Sequence, residues 1–191
     1  LQFLRSQINS HFLFNSLNNL RSLILEDPQA ARQGLADLAT LLRGLLQAEA
    51  HVTVPLREEL DWVRGYLALE ALQFEQRLQY EFLIDDSLLD AKVPPLLVQT
   101  LVENAIKHGI SPNQQPGVLR ISSLQLSANH WRLEVQNSYR HQSLQGGTQT
   151  GLTNLRQRLV LMPGENTLTT NITEPKQGLG QFLVTLELQY D

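Results

Sequence analysis

The chain has 191 residues, of which 42% are hydrophobic and 18% charged, with a formal net charge of −4. This composition is globular rather than disordered, and the lack of a Lys/Arg stripe argues against direct nucleic-acid binding. Cysteine is absent, which excludes disulfides, thiolate metal sites and cysteine nucleophiles. The five histidines include no close pair, so a zinc site is not expected.

A long helix is predicted for residues 1–25, with two apolar faces on either side of a polar strip that contains His11 and Asn15. A helix that is apolar on two sides has to be buried on two sides, as in a bundle formed with a second chain. The sequence enters this helix without a capping residue, so we expect further protein upstream. No apolar run reaches the roughly 18 residues that span a bilayer.

A second helix is predicted directly after the first. Asp27 is suited to cap it, and Pro28 is suited to its first position. Its apolar residues alternate in spacings of four and three, which is typical of a coiled-coil seam. The seam residues are Ala31, Leu35, Leu38, Leu42 and Leu45. We therefore predict a helical hairpin over residues 1–50, and two hairpins would form a four-helix bundle in a homodimer.

The helical pattern breaks over residues 51–55, and we place a domain boundary there. The elements predicted after it are a helix (56–75), a strand (78–84), a helix (93–109) begun by Pro95 and ended by Gly109, a hairpin (118–126 and 131–137), a helix (151–162) and two strands (167–172 and 181–189). This order predicts an α+β chain, in which residues 51–191 form an α/β sandwich with the helices on one face of a sheet.

His11 is the first candidate for chemistry. A neutral imidazole is a competent nucleophile near neutral pH, and Asn15 lies one turn further on the same helix face, where its amide can hold the ring. A lone histidine is more often an ordinary surface or core residue. That alternative stays open from this stretch alone.

The helix over residues 93–109 carries the second candidate site. Its polar residues are Glu103, Asn104, Lys107 and His108. Asn104 lies three residues before Lys107 and four before His108, so a regular helix places all three on one face. An amide oxygen that binds a hard cation, beside a cation that meets a phosphate, is typical of a magnesium–nucleotide site. A core helix with one solvated polar face is the alternative.

The third candidate is a glycine-bearing loop that leads into a helix, over residues 146–159. Glycines allow the backbone to approach phosphates closely, and the N-terminus of a helix favours anions. Arg156 and Arg158 would add positive charge, although a solvated helix face explains both more simply. The glycine signal is weak by itself because many loops have this composition.

Taken together, the three stretches resemble the LytS/AlgZ-type bacterial sensor histidine kinases over essentially the whole chain. His11 followed by Phe-Leu-Phe-Asn resembles the family's phosphoacceptor signature, and residues 57–70 resemble its linking helix. Residues 93–109 resemble the N box, and residues 147–159 resemble the G2 box. The resemblance implies a dimerisation and histidine-phosphotransfer hairpin, followed by a Bergerat-type (GHKL) domain that binds ATP and Mg²⁺.

The resemblance also implies a role for individual residues. His11 would be the phosphoacceptor, Asn104 the Mg²⁺ ligand, and Lys107 and His108 neighbours of the phosphates. The residues implied for the lid and the phosphate wall are Gly147, Thr150, Gly151 and Leu152.

Three positions depart from the family pattern. Ser10 stands where proline usually precedes the histidine, and Gln149 replaces a usual lid glycine. Residues 136–140 replace the usual Asp-x-Gly-x-Gly segment, and there Asn137 can accept a hydrogen bond from the adenine amino group without the charge of aspartate. These changes concern nucleotide affinity and lid mobility more than the fold.

The resemblance implies ATP-dependent autophosphorylation of His11 and relay to an aspartate of a response regulator, of the LytTR type. The residue directly after His11 is Phe12 and not a carboxylate. Glu103, in the other domain, is therefore the candidate carboxylate for receiving the imidazole proton. The full-length protein would be an inner-membrane sensor with this portion in the cytoplasm. The alternative is a degenerate kinase-like dimer that signals by protein contacts or phosphatase action, and the missing glycines around Asn137 motivate it.

Overall fold

The computed structural model describes residues 10–139, 150–176 and 179–189, and the statements below refer to these residues. A helical hairpin opens this part of the chain, with α1 at Ser10–Glu26 and α2 at Pro28–Ala50. The Asp27 side chain caps α2 by accepting from the backbone N–H groups of Gln29 (3.2 Å) and Ala30 (3.0 Å). The predicted hairpin and its cap are confirmed for residues 10–50, and residues 1–9 of the predicted first helix lie outside the described residues.

The buried face of α2 differs from the predicted seam at one position. Ala31, Leu38 and Leu45 are buried as predicted, whereas Leu35 is 49% exposed. Gly34 takes the inward position next to it and lies against the side chain of Leu20 on α1. The absence of a side chain at Gly34 lets the two helices approach closely.

A third helix, α3 at Leu56–Phe74, packs along α2. Gly44 of α2 lies against the Trp62 ring, where a Cβ would come within 2.5 Å of the indole. Gly65 of α3 lies against the carbonyl of Asp37, where a Cβ would be 3.1 Å from the oxygen. The hairpin and α3 therefore share one apolar core. That residues 51–55 divide two separately moving units stays a prediction.

The main sheet has five strands in the order β2-β4-β5-β7-β6. Their bounds are β2 at Leu78–Leu83, β4 at Gly117–Ser127, β5 at His130–Tyr139, β6 at Thr167–Lys176 and β7 at Leu179–Gln189. β2 and β4 are parallel, and the other neighbours are antiparallel. A separate two-stranded sheet joins β1 (Val54–Pro55) to β3 (Lys92–Val93). The predicted strands are confirmed, and β5 continues to Tyr139 instead of ending at residue 137.

One face of the main sheet is apolar and is covered by the helices. A row of paired residues across three strands, Ile121, Val135 and Val184, belongs to the same buried cluster as the helix residues beneath it. The neighbouring row, with Arg120 and Gln136, lies on the other face and is polar. The predicted α+β class, a helical hairpin followed by an α/β sandwich, is confirmed.

The helix predicted over residues 93–109 is shorter and ends differently. α4 spans Leu97–Ala105, and a π-helical turn at Ile106–Ile110 follows it. Pro95 therefore precedes the helix, and Gly109 lies inside the π turn, so both predicted helix ends were wrong. Leu96 adopts a left-handed conformation with φ of 62° before the first turn, and a side chain from α3 holds that turn in place.

Candidate functional site

His11 lies exposed on α1, with the Asn15 amide beside its ring. Asn15 Nδ2 is 3.3 Å from His11 Nδ1 and 3.5 Å from Nε2. The same amide donates to Gln73 Oε1 of α3 at 3.4 Å. The predicted proximity of Asn15 to the imidazole is therefore present, and Asn15 also ties this turn of α1 to α3.

A buried polar pair on α3 lies under the same turn of α1. The ring of Phe12 packs on the ring of Tyr66, with centroids 4.9 Å apart. Tyr66 Oη donates to Glu70 Oε1 at 2.7 Å, and Glu70 is only 6% exposed. Burial raises the pKa of Glu70, and the hydrogen bond from Tyr66 and the charge of the nearby His11 partly oppose this rise. A carboxylate therefore interacts with the imidazole from another helix.

Glu103 continues this polar cluster on α4. Gln99 Nε2 donates to Glu103 Oε1 at 2.8 Å. Burial raises the pKa of Glu103 to about 7, the hydrogen bond from Gln99 opposes the rise, and the charge of Glu70 adds to it. The charge of His11 thus acts on Glu70, and the charge of Glu70 acts on Glu103, so these groups of α1, α3 and α4 lie within electrostatic range of one another. That Glu103 itself receives the imidazole proton stays a prediction.

Asn104 follows Glu103 and has hydrogen-bonding capacity to spare. Its Nδ2 atom is buried and, among the described residues, has no hydrogen-bond partner. Buried amides are normally paired, so an unpaired one points to a missing ligand. Lys107 is exposed in the π turn that follows. The unpaired Nδ2 group is a donor that suits a phosphate oxygen, and the exposed Lys107 ammonium also pairs with phosphate. That the Asn104 amide oxygen binds Mg²⁺ stays a prediction.

The π turn lies directly against the end of β5. A Cβ at Gly109 would be 2.7 Å from the Ser138 carbonyl oxygen and would overlap the Asn137 side chain. Asn137 is 3% exposed, and its Nδ2 donates to Ser138 O at 3.0 Å. This close approach brings Asn137 beside the turn that carries Lys107 and His108. Burial lowers the pKa of His108, and the charge of Lys107 adds to this effect.

The glycine-loop residues are only partly covered by the structure. Gly147 and Gln149 lie outside the described residues, and for Thr150 and Gly151 only the backbone is described, at the start of α5 (Thr150–Val160). Leu152 is half-buried and packs against the apolar core. The implied roles of Gly147, Thr150, Gly151 and Leu152 in a phosphate wall stay predictions.

Sequence reasoning missed Glu70 and Tyr66. Their four-residue spacing on a helix that is otherwise apolar on this side was visible, and it indicates a polar pair on a buried face. Nothing in the sequence showed that this face would meet α1. Within the described ranges, no group of three or more His, Asp or Glu side chains could hold a metal ion by itself. None of the described helices is long and apolar enough to cross a membrane.

Comparison with known proteins identifies the relatives of this chain. The histidine kinase family model matches residues 1–78. A sensor protein LytS of Oceanobacillus iheyensis is 31% identical over 95% of this chain and 33% of that protein. A sensor histidine kinase/phosphatase LytS of Staphylococcus aureus is 36% identical over 72% of this chain and 24% of that protein. The chain belongs to the LytS-type histidine kinases.

Solved structures agree with the fold of this LytS-type chain. The catalytic domain of histidine kinase ThkA superposes with a TM-score of 0.51 at 19% identity, covering 72% of this chain and 95% of that one. The histidine kinase AdeS of Acinetobacter baumannii gives 0.50 at 14% identity, covering 93% and 94%. The LytS-type chain spans about a third or less of the length of the curated relatives named above.

In this LytS-type kinase, Glu103→Gln is expected to flatten the pH dependence of stability. The folded state raises the pKa of Glu103 from an ordinary value of 4.5 to about 7. The stability linked to this group is therefore fully present below about pH 4.5 and is lost as the pH rises through about 7. The loss amounts to on the order of 3 kcal/mol. Urea unfolding at pH 5 and pH 8 measures it, because the difference should shrink in the variant.

Other groups act on the same slope. Burial raises the pKa of Glu59 to about 7 and also raises the pKa of Glu70, which gives the same sign, and the lowered pKa of His108 gives the opposite sign. Glu165→Gln, at an exposed position, is the matched control and should leave the slope unchanged. An equal slope in wild type and Glu103→Gln would contradict the prediction.

Proposed function

We propose that this chain is the kinase portion of a two-component sensor, which phosphorylates His11 from ATP and passes the phosphoryl group to an aspartate of a response regulator. The observation that carries the proposal is that the turn with the exposed His11 packs through Phe12 on Tyr66, the hydrogen-bond partner of Glu70, while α4 carries Glu103 and Asn104, whose buried Nδ2 has no partner among the described residues. A nucleophile and a candidate phosphate site are thus linked within one chain.

The residues of the chain divide the work of phosphoryl transfer between them. Transfer of this kind depends on in-line placement and charge neutralisation rather than on covalent help from the protein. Asn15 orients the imidazole of His11, Asn104 holds Mg²⁺, and Lys107 pairs with a phosphate. Mg²⁺, when bound, neutralises charge on the triphosphate. The amide oxygen of Asn137 accepts from the adenine amino group.

The partners follow from the same proposal. Several apolar side chains of the hairpin are exposed in the single chain, which favours burial in a homodimeric four-helix bundle. They are Phe14, Leu17, Ile24, Leu25, Leu35 and Leu46. The response regulator is proposed to be of the LytTR type, and the full-length protein is proposed to be a membrane-anchored sensor whose cytoplasmic portion includes this chain.

A degenerate kinase is the second candidate, and the end of β5 favours it. Tyr139 stands where the Asp-x-Gly-x-Gly pattern has its first glycine, and it continues the strand. Its ring is buried against Gly180, and its hydroxyl donates to Thr173 O at 3.3 Å. A turn loosened by glycine is thus replaced by a regular strand. Calorimetry with Mg-ATP separates the two candidates, since millimolar or absent binding favours the degenerate kinase.

His11→Gln is expected to abolish phosphate incorporation. Wild-type chain incubated with radiolabelled Mg-ATP should acquire an acid-labile label, because phosphate on an imidazole nitrogen hydrolyses in acid. His51→Gln is the matched control: this histidine is exposed at the end of α2, and its Nδ1 hydrogen-bonds to Gln47 O at 3.1 Å. Equal labelling of His11→Gln and wild type would remove His11 from the proposed role.

A further inference from the structure

Two polar side chains on α3 are buried, and the stability of the fold does not explain why both are there. Tyr66 and Glu70 are each 6% exposed, and they hydrogen-bond to each other. Burying a carboxyl group costs free energy unless several hydrogen bonds compensate it, and among the described residues the Tyr66 hydroxyl is the one hydrogen-bond donor to Glu70. A carboxyl group in this position needs a reason other than stability.

Two contacts hold the His11 turn of α1 on this part of α3. The ring of Phe12 packs at a tilt on Tyr66, and Asn15, which also lies beside His11, donates to Gln73. Glu70 lies between the two α3 residues in this set, four positions after Tyr66 and three before Gln73, so that it shares their helix face. These contacts therefore place Glu70 on the face of α3 that the His11 turn of α1 covers.

We propose that Glu70 is the carboxylate that accepts the imidazole proton when His11 is phosphorylated, and this assignment rests on the proposed function. One ring nitrogen of His11 forms a bond to the γ-phosphorus while the bond from that phosphorus to the bridging oxygen breaks. The bridging oxygen leaves with the electron pair on ADP. The proton on the other ring nitrogen passes to Glu70, which leaves a neutral phosphorylated imidazole and a neutral carboxylic acid.

The surroundings of Glu70 suit a proton acceptor. The groups that face it are Tyr66 on its own helix, His11 on α1 and Glu103 on α4. Burial raises its pKa, which makes the carboxylate a better base than an exposed one. Tyr66 is a positioning residue, since its hydroxyl donates to the carboxyl group of Glu70 and fixes its orientation. Because Glu70 acts only when ionised, the rate is expected to rise with pH.

The experiment compares single variants of the full chain in the radiolabelled ATP assay, with initial rates measured at several ATP concentrations and from pH 6 to 9. Glu70→Gln keeps the size of the side chain and an oxygen that accepts from Tyr66, so the fold is retained. Its kcat should fall by about 100-fold or more, with KM for ATP within about twofold of wild type and with a smaller rise in rate at higher pH than the wild type shows. Glu70→Asp should restore part of the kcat.

Two further variants make the result specific. Glu58→Gln changes the same residue type on the first turn of α3, away from His11, and should match wild type. Glu103→Gln tests the other carboxylate of the cluster. Wild-type kcat and pH profile in Glu70→Gln, or a larger kcat loss in Glu103→Gln, would overturn the assignment while labelled wild type still supports the proposed function. An unlabelled wild-type chain that binds no Mg-ATP would overturn the proposed function and this assignment together.

Discussion

Replacing Glu59 by alanine is expected to lower the free energy of unfolding by about 3–5 kcal/mol. Glu59 lies on α3, has no exposed surface, and caps α4 from the side. Its Oε1 accepts from the backbone N–H of Leu96, and its Oε2 accepts from those of Val98 (3.0 Å) and Gln99 (3.4 Å). The first N–H groups of a helix have no partner within the helix, so the alanine variant leaves three buried donors unsatisfied.

Urea unfolding monitored by circular dichroism measures this loss. Glu58→Ala is the matched control, because it removes the same charge from the same helical turn without a contact to α4. Its cost should stay within about 1 kcal/mol, the usual size of a charge effect at a helix N-terminus. Glu59→Gln should fall between the two, since its amide group can accept with one atom only. A Glu59→Ala variant as stable as Glu58→Ala would contradict the capping role.

Gly109→Ala is expected to destabilise the chain by about 1–3 kcal/mol, the usual cost of overpacking. A Cβ at this position would be 2.7 Å from the carbonyl oxygen of Ser138 and 2.9 Å from Asn137 Cγ. Ser138 belongs to β5, which pairs with strands on both sides, so its backbone is unable to move aside. The π turn has to shift instead, and Lys107 with it. Under the proposed function, Mg-ATP binding should weaken as well.

Gly117→Ala provides the comparison for this variant. A Cβ there would meet the Cδ1 atom of Ile110, the far end of a flexible side chain, at 2.6 Å. A change of rotamer relieves that contact, so the expected cost is below about 1 kcal/mol. Thermal unfolding and calorimetry with Mg-ATP test both glycine variants. The prediction for Gly109 is wrong if its melting temperature equals that of Gly117→Ala.

Elements with local signals could be predicted from the sequence. Asp27 and Pro28 announce the start of α2 because capping and the fixed φ of proline act within a few residues. The strands of the sheet followed their alternation for the same reason. The start of α4 could not be placed this way, because it is set by Glu59, a residue of another helix. Local sequence preference favours a helix start at Pro95, but the tertiary contact from Glu59 places the start at Leu97.

The same distinction between local and tertiary contacts applies to the residues of the candidate site. His11 and Asn15 were found together because they are one turn apart, and the pair is present in the structure. Asn104 was found by its residue type, but its unpaired amide could only be seen in three dimensions. Glu70 reaches His11 through the packing of α1 on α3, which no spacing in the sequence encodes. Contacts between side chains of different helices are what a single sequence does not reveal.

The glycine contacts between α2 and α3 limit how these two helices can move relative to each other. The Trp62 ring occupies the space that a side chain at position 44 would fill, so sliding of one helix past the other is obstructed. A displacement of α2 along its axis is consequently shared by α3, whose first turn hydrogen-bonds to α4 through Glu59 and whose last turn accepts from α1 through Gln73. We therefore expect α2 to slide along α3 only when the Trp62 indole leaves its position against Gly44.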